Sequence, residues 1–383
     1  MTNEVAIIGG GCAGLACAIR LKERNIPFKL FEASSKLGGR VSSEVTGDFM
    51  IDKGFQVLLP HYKTAKKLLD YKALDLCKYP KGASILTPNG TQWFGLQLPP
   101  HLKAGEKLKP TYRDYMQLGL DVMCGAFPPK KPSGATVDHF LANYSTHFAN
   151  QFLIPFFRGV FLDPNCEKSS NQFQYYLHAF LRGGAAIPAK GMATIPLQLA
   201  SQLPDHSIEY KSTVTAIHNN TVTVNANVHS FKHIVLATDL SNAHRLLNQP
   251  LPKTPWLGVH NVIFSKKGNT QLAPLTLVAR PSIISHINVP TLVSKSLGPI
   301  GTHVVNVSLF DHHDPADVQR ELVALTNESD WEFLHANAIQ NALPKYQLTP
   351  IITPNVSICG DWMSTIQSIE GALHSGYNVP LPF

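Results

Sequence analysis

Three glycines at fixed spacing constrain this chain more than any other feature of its sequence. Gly9, Gly11 and Gly14 lie between a short apolar run at 4–8 and a stretch at 15–24 with helical periodicity. A short apolar, β-branched run predicts a buried parallel strand, and the glycine turn after it opens a helix. The sequence therefore predicts a strand, a tight turn and a helix within its first 24 residues.

The turn has the spacing of a phosphate-binding loop. Gly9 permits the tight turn, Gly11 leaves room for a pyrophosphate beside the backbone, and Gly14 lets the helix lie close to the sheet. The first residues of the helix, Cys12 and Ala13, offer free N–H groups and the positive end of the helix dipole. We therefore expect this turn to bind the phosphates of a dinucleotide.

An acidic residue follows at the distance that ribose binding requires. A second predicted strand at 28–31 ends in Glu32, which comes 18 residues after Gly14. A carboxylate there accepts hydrogen bonds from ribose hydroxyls and repels a 2′-phosphate. All four features (the strand, the turn, the helix and the acidic residue) are typical of a dinucleotide-binding βαβ motif. The first unit is therefore predicted to be such a motif.

The residues after this carboxylate indicate which dinucleotide is bound. Residues 32–40 resemble the E-A-x-x-x-x-G-G-R extension of the flavin amine oxidases and phytoene desaturases. The resemblance implies FAD as the cofactor. A glycine pair permits close backbone approach, and an arginine makes charge-assisted hydrogen bonds to a pyrophosphate. The expected cofactor contacts here are Glu32, Ala33, Gly38, Gly39 and Arg40.

The far end of the chain carries a second motif of the same superfamily. A predicted strand at 356–359 runs into Gly360 and Asp361, and residues 368–376 resemble the S-x-E-G-A-x-x-S-G helix start of these flavoproteins. The resemblance implies that Asp361 binds the ribityl–pyrophosphate region. It also implies that the helix beginning at Ser368 and Ile369 points its N-terminus at the N1–C2=O side of the flavin, where a helix dipole stabilises negative charge.

The middle of the chain resembles the superfamily less strongly. The resemblance places Gly54 and Phe55 beside the isoalloxazine, Val214 at the adenine through its backbone, and Thr238 after a strand that rejoins the nucleotide domain. The stretch 183–192 is similar to the P-x-G-G-M crossover of phytoene desaturases, with Lys190 in place of the first glycine.

These motifs predict an α/β fold with a discontinuous Rossmann-type FAD-binding domain and an inserted α+β substrate domain. We expect the FAD-binding domain at 1–75, 186–245 and 346–383, and the substrate domain at 76–185 and 246–345. Helices are predicted at 111–124, 135–149, 192–203, 315–327 and 329–342, and strands at 255–266, 274–279 and 303–310.

Composition excludes several classes of protein. With 44% hydrophobic and 15% charged residues the chain is globular, and its six cysteines form no CxxC pair. This cysteine pattern and a start without a basic leader predict a cytoplasmic protein. The net charge of +7, locally dense at 103–109 and 130–131, predicts solvated surface or peripheral contact with an anionic membrane or acidic partner. No nucleic-acid-binding motif is present.

The flavin supplies the chemistry in this superfamily, so we expect no catalytic triad. Many amine oxidases hold a lysine near flavin N5 on a substrate-domain strand, and the best match to that position here is His260. Residues 311–314 read Asp-His-His-Asp, but they adjoin a predicted helix cap, so we expect no metal site.

Three functions fit these residues. The first is an FAD-dependent desaturase or dehydrogenase of an apolar small molecule, favoured by the missing lysine and the phenylalanine-rich run at 152–162. The second is an amine or amino-acid oxidase. The third is a non-catalytic binding protein, since Rab GDP-dissociation inhibitors share the fold. The presence of Gly11, Glu32, Arg40 and Asp361 argues against the third.

Overall fold

The fold was analysed in a computed structural model that describes residues 4–96, 106–345 and 355–382. Parts of the predicted basic segment 103–109 and of the predicted domain segment 346–383 lie outside these residues. The helices are α1 (Cys12–Glu23), α2 (Lys63–Leu68), α3 (Tyr112–Cys124), α4 (Thr136–Asn143), α5 (Thr146–Phe148), α6 (Ile154–Phe161), α7 (Ser170–Gly183), α8 (Thr194–Ala200), α9 (Leu240–Leu246), α10 (Pro315–Thr326) and α11 (Ile369–Tyr377).

Strands make up most of the remaining regular structure. They are β1 (Val5–Ile8), β2 (Phe28–Phe31), β3 (Ser43–Thr46), β4 (Phe49–Asp52), β5 (Leu76–Lys78), β6 (Gly82–Thr87), β7 (Gly90–Gly95), β8 (Glu106–Lys107), β9 (Ala186–Pro188), β10 (Ile208–Glu209), β11 (Val214–His218), β12 (Thr221–Val224), β13 (Asn227–Ser230), β14 (His233–Leu236), β15 (Trp256–Lys267), β16 (Leu275–Val278), β17 (His286–Asn288), β18 (Thr302–Leu309), β19 (Glu332–Pro344) and β20 (Val356–Ile358).

A five-stranded parallel sheet joins three distant parts of the chain. Its order is β10-β2-β1-β14-β20. The central strand β1 is buried on both faces, since Val5 and Ile7 belong to one core and Ala6 and Ile8 to another. This double burial explains why the strand is a continuous apolar run.

The first and last helices pack closely on one side of this sheet. A Cβ atom added to Gly376 on α11 would lie 1.9 Å from the carbonyl oxygen of Ala13 on α1. Only a glycine allows the two backbones to approach this closely. The contact brings the N-terminal and C-terminal motifs of the sequence together.

An eight-stranded mixed sheet forms the second layer, in the order β19-β15-β18-β17-β16-β6-β7-β8. One face of β15 packs on α10, because Val262 and Phe264 share a core with Val318 and Leu322. The other face carries Asn261 and Ile263, which point the opposite way by strand alternation.

The fold is the predicted α/β class, and most predicted elements are confirmed. The helices expected at 111–124, 192–203 and 315–327 and the strands expected at 255–266, 274–279 and 303–310 are present, with shifted ends. The domain boundaries stay a prediction.

Two predicted helices are corrected by the structure. Residues 332–344 form the strand β19, not a helix within 329–342, because pairing with β15 satisfies both backbones. The backbone hydrogen bonds gained by this pairing outweigh the modest helix preference of alanine and leucine. The helix predicted at 135–149 breaks at Tyr144, whose backbone is extended, and Ser145 starts a new turn while its N–H donates to Asp114 over 2.7 Å.

The buried side chain of Glu370 holds α2 in place. Its carboxylate accepts hydrogen bonds from the backbone N–H of Thr64 at 2.9 Å, from the Thr64 hydroxyl at 2.9 Å and from the N–H of Ala65 at 3.0 Å. It therefore caps the N-terminus of a helix about 300 positions away in the sequence.

We expect Glu370→Ala to lower the free energy of unfolding by about 3 kcal/mol, because it leaves buried N–H donors without an acceptor. Urea denaturation measures this loss. The control is Glu44→Ala, which removes an exposed carboxylate on β3 and should change stability by about 0.5 kcal/mol or less. Equal losses in the two variants would contradict the capping role.

Candidate active site

The glycine-rich turn forms an open cradle at the start of α1. A Cβ atom added to Gly14 would lie 2.0 Å from the carbonyl oxygen of Gly9, whereas one added to Gly11 would meet no atom of the described residues within 4 Å. Gly14 is therefore required for packing. Gly11 instead leaves free space beside the backbone, where the sequence predicts a pyrophosphate.

The N-terminus of α1 keeps its hydrogen-bond donors available. The N–H of Leu15 makes the first intrahelical bond, to the carbonyl of Gly11 over 3.0 Å. The preceding N–H groups of Cys12, Ala13 and Gly14 have no intrahelical acceptor, and no described side chain caps this end. The arrangement fits the phosphates of a flavin nucleotide.

Glu32 is fixed at the end of β2. One carboxylate oxygen accepts from the N–H of Gly10 over 2.7 Å, and the other accepts from the N–H of Ser34 over 2.8 Å. Ala33 is exposed beside it. The N–H of Ser212 binds the backbone carbonyl of Glu32 over 2.9 Å, which brings the start of β11 close to this carboxylate.

The Gly-Gly-Arg segment lies against the same turn. Gly38 donates its N–H to the carbonyl of Gly10 over 2.9 Å, and its backbone pairs with that of Gly11. Gly39 is exposed, with its Cβ position 3.9 Å from the Cα of Gly11. Arg40, the next residue, donates to the carbonyl of Ala342 over 2.5 Å.

Arg40 also forms an ion pair with Asp361, through one guanidinium nitrogen and one carboxylate oxygen. The Asp361 carboxylate raises the pKa of Arg40 above its usual value. The structure thus brings the N-terminal and C-terminal motifs into direct contact. The burial of Cys12 raises the pKa of its thiol to about 12, so this neighbour of the pair stays protonated.

The C-terminal motif folds as a tight loop before α11. The indole N–H of Trp362, two residues after Gly360, donates to the carbonyl of Thr238 over 3.1 Å. The hydroxyl of Ser368 caps α11 by accepting from the N–H of Gly371 over 3.3 Å, and Ile369 is the first residue of the helix. Val214 is buried on β11, and its carbonyl accepts from Arg245.

The segment with Gly54 and Phe55 lies against the eight-stranded sheet. The Cβ position of Gly54 is 3.3 Å from Nδ2 of Asn261, and the ring of Phe55 lies 5.4 Å from that of His286 between centroids. We call the side of the sheet that they contact the amide face. It comprises one row across four strands (Asn337, Asn261, Ser308 and His286) and a second row of His335, Ile263, Asn306 and Asn288.

The amide face contains buried polar atoms with available hydrogen-bonding capacity. The hydroxyl of Ser308 donates to the side-chain oxygen Oδ1 of Asn261 over 2.9 Å, and the hydroxyl of Tyr79 donates to Oδ1 of Asn288 over 2.9 Å. Among the described residues, Nδ2 of Asn261 and Oδ1 of Asn306 have no partner. Burial, with a smaller effect of the Arg158 charge, lowers the pKa of His286 to about 3 and keeps this imidazole neutral.

His260, the residue predicted to lie near the flavin, does not face the Gly54 segment. His260 points to the opposite side of the sheet from Gly54, where its ring stacks on that of His312 at 4.6 Å between centroids. Burial and the charges of His312 and His313 lower its pKa. Successive side chains of a strand alternate in direction, so the adjacent Asn261 contacts the Gly54 segment instead.

Lys168 is a second residue that sequence reasoning missed. Its side chain is buried, and its ammonium group donates to the carbonyl of Pro344 over 2.6 Å and to the side chain of Gln367, next to the cap of α11. Burial lowers its pKa to about 8. In the sequence it stands in a polar stretch typical of surface, so no local pattern indicates its burial.

The phenylalanine-rich run at 152–162 is mainly core. Phe157 and Phe161 are buried, and Phe157 packs against Phe140 and Phe173. Phe152 and Phe156 are half-buried. This run therefore gives little support to a substrate channel.

A family model described as flavin containing amine oxidoreductase matches residues 12–333. The chain belongs to this family.

Solved structures share this fold over almost the whole chain. An oxidoreductase from Methanosarcina mazei superposes with a TM-score of 0.75 at 15% identity, covering 97% of this chain and 98% of that one. Cyclohexylamine oxidase from Brevibacterium oxydans has a TM-score of 0.71 at 15% identity, covering 98% and 97%. At these identities the likeness shows the amine oxidase fold.

A curated relative matches over a short segment. The 4,4'-diaponeurosporene oxygenase of Staphylococcus aureus (strain MRSA252) is 32% identical over 79 residues, which are 21% of this chain. The match covers 16% of that relative's length.

We expect Gly11→Ala to reduce flavin retention without lowering stability, because its methyl group would occupy the cradle and touch no described atom. Flavin affinity should fall at least about tenfold, the effect of losing one or more charge-assisted hydrogen bonds. Flavin content after purification and a fluorescence titration measure it. The matched variant Gly14→Ala should instead destabilise the fold. A Gly11→Ala protein with full flavin content would contradict the assignment.

The pKa of Lys168 predicts a pH dependence of stability. Its folded value of about 8 lies below the ordinary 10.5, so the unfolded chain binds more protons between these pH values. The destabilising contribution of the buried charge is fully present below pH 8 and is lost as the pH rises. We expect the unfolding free energy of the wild type to rise relative to Lys168→Met across this window. Urea denaturation at several pH values measures this difference, and a constant difference would contradict the prediction.

Proposed function

We propose that the chain is an FAD-dependent oxidoreductase that removes a hydride from one C–H bond of an apolar substrate, as a desaturase or dehydrogenase does. The neighbouring carbon loses a proton to water, and the electron pair of that C–H bond forms the double bond. FAD is proposed because the site offers two separate features of dinucleotide binding. The cradle at Gly11 fits a pyrophosphate, and the fixed carboxylate of Glu32 fits the ribose of an adenosine.

The proposed FAD contacts run from the adenosine end of the cofactor to its flavin ring. Glu32 and Val214 would bind the adenosine, and the start of α1 with Arg40 the pyrophosphate. Asp361 would bind the ribityl chain, and the start of α11 would stabilise negative charge on the ring. When bound, the flavin accepts a hydride at N5. The remaining proposed contacts are Gly9, Cys12, Ala13, Gly14, Ala33, Gly38, Gly39, Gly54, Phe55, Thr238, Gly360, Ser368 and Ile369.

The amide face is the observation that carries the choice of an apolar substrate. The side chains of Asn261, Ser308 and Asn306 are neutral amides and a hydroxyl, and His286 is held neutral by burial. These uncharged side chains can contact an apolar substrate without leaving a buried charge unpaired. Asn261 offers one hydrogen-bond donor toward the Gly54 segment and can orient a substrate but cannot take a proton from it.

An amine oxidase is the second candidate, and one observation favours it. The rings of Phe55 and Tyr79 lie 6.2 Å apart between centroids on the same side of the sheet, where aromatic faces would attract an amine. The two planes are inclined at 57°, so they do not form a parallel cage. Peripheral membrane contact is compatible with both candidates.

Flavin reduction under anaerobic conditions tests the proposal. Purified protein soaked with FAD should show flavin absorbance bands, and a polyene should bleach them faster than primary amines or amino acids do. Bleaching by amines alone would favour the amine oxidase. A protein that never acquires flavin bands would support a non-catalytic binding function.

A matched pair of neighbours tests the role of the amide face. We expect Asn261→Leu to slow substrate-dependent flavin reduction about tenfold, the effect of losing one positioning hydrogen bond. His260→Leu changes the adjacent residue on the opposite side of the sheet and should alter the rate by about twofold or less. Stopped-flow absorbance measures both rates. A larger effect of His260→Leu than of Asn261→Leu would instead support His260 as the residue near the flavin.

A further inference from the structure

Helix α3 carries its apolar side chains on the outside. Six large apolar residues of α3 and the turn after it are between 53% and 80% exposed. They recur at helical spacing along one side, as expected for a single face. We call them the α3 face: Tyr112, Tyr115, Met116, Leu120, Met123 and Phe127.

The inner side of the same helix is polar and firmly held. Asp114 and Asp121 are buried, with 0% and 1% exposure. Asp121 accepts hydrogen bonds from the hydroxyl of Tyr144 at 2.6 Å and from Gln174 at 2.7 Å. Asp114 accepts from the hydroxyl of Ser145 at 2.7 Å. Turning the apolar residues inward would break these bonds, so the orientation is built into the fold.

Every exposed charged residue between Lys107 and Lys131 is positive. Between residues 107 and 131 the acidic residues are Asp114 and Asp121, and both are buried. The exposed charged residues of this segment are Lys107, Lys109, Arg113, Lys130 and Lys131. A cation from α2 joins them, because the ammonium group of Lys63 lies 5.2 Å from the ring centroid of Phe127.

We propose that the α3 face docks on the surface of an anionic lipid bilayer. A bilayer interface accepts apolar side chains, and anionic headgroups attract the flanking cations. A second copy of this chain would instead bring the same cations against each other. None of the described helices is long and apolar enough to cross a membrane, so the contact is with the interface.

Docking would place the bilayer one helix away from the candidate active site. On one side α7 packs against α3, since His178 binds the carbonyl of Val122 over 2.7 Å. On the other it reaches the loop before α11, since Gln172 donates to the carbonyl of Thr365 over 2.5 Å and Tyr176 to that of Gln367 over 3.3 Å. Entry of an apolar substrate from the bilayer rests on the proposed function, whereas docking itself does not.

Vesicle flotation with full-length, flavin-loaded protein tests the docking. The wild type should float with phosphatidylcholine vesicles that contain phosphatidylglycerol and remain behind with pure phosphatidylcholine. The double variant Met123→Ser/Phe127→Ser should bind at least about tenfold more weakly, because it removes two large apolar contacts. The matched control is Val228→Ser/Ile300→Ser, which changes two other exposed apolar residues elsewhere and should bind as the wild type does.

The charges are tested separately. Lys130→Gln/Lys131→Gln should weaken binding about fivefold for each cation removed, and added salt should reduce this difference. Lys253→Gln/Lys267→Gln removes two exposed lysines elsewhere and serves as the control.

Three results would overturn the proposal. The first is equal flotation of the wild type and the Met123/Phe127 variant, and the second is equal binding to neutral and anionic vesicles. The third is a wild-type dimer by light scattering that this variant dissociates, which would make the α3 face an interface between copies. Flotation needs no turnover, so a failure of docking and a failure of the proposed chemistry are distinguishable.

Discussion

The close contact between α1 and α11 is the constraint on which the rest of the site depends. Gly376 meets the carbonyl of Ala13 where any larger residue would collide with it. The contact fixes the C-terminal part of α11 against the N-terminus of α1. Since α11 begins seven residues earlier, its own N-terminus lies about 10 Å farther along the helix. Two positive helix ends are thereby set apart at a spacing that suits an extended cofactor with charge at both places.

Charge compensation around these helix ends is shared among a few buried groups. Asp361 is mostly buried and is paired with Arg40, so this carboxylate is not left uncompensated. The side chain of Gln367 links Lys168 to the start of α11. A pyrophosphate bound at α1 would bring negative charge next to Arg40 and would compete with Asp361 for it. The ion pair thus holds the arginine near the position where the proposed cofactor needs it.

The residues that were predictable from the sequence act through local backbone geometry. The glycine turn and Glu32 have fixed roles within one βαβ unit, so their spacing alone indicates their places. Asn261 was not predictable, because a one-residue slip in register moves a side chain to the other face of a sheet. Glu370 and Lys168 depend on partners far away in the sequence, and no local pattern encodes such contacts. The alanines of β19 favour a helix, but hydrogen bonding to β15 stabilises a strand instead.

The two faces of β15 have different surroundings: one packs in a hydrophobic core, and the other carries polar groups beside Gly54. Val262 and Phe264 stabilise the core with α10, and His260 lies on their side. On the other side Ser308 donates to Asn261, whereas Nδ2 of Asn261 beside Gly54 and Oδ1 of Asn306 have no partner among the described residues. A primary amide does not titrate near neutral pH, so it can position a reacting group but cannot remove a proton from it. Such a wall suits a reaction in which hydrogen leaves with both bonding electrons and the cofactor supplies the electron acceptor.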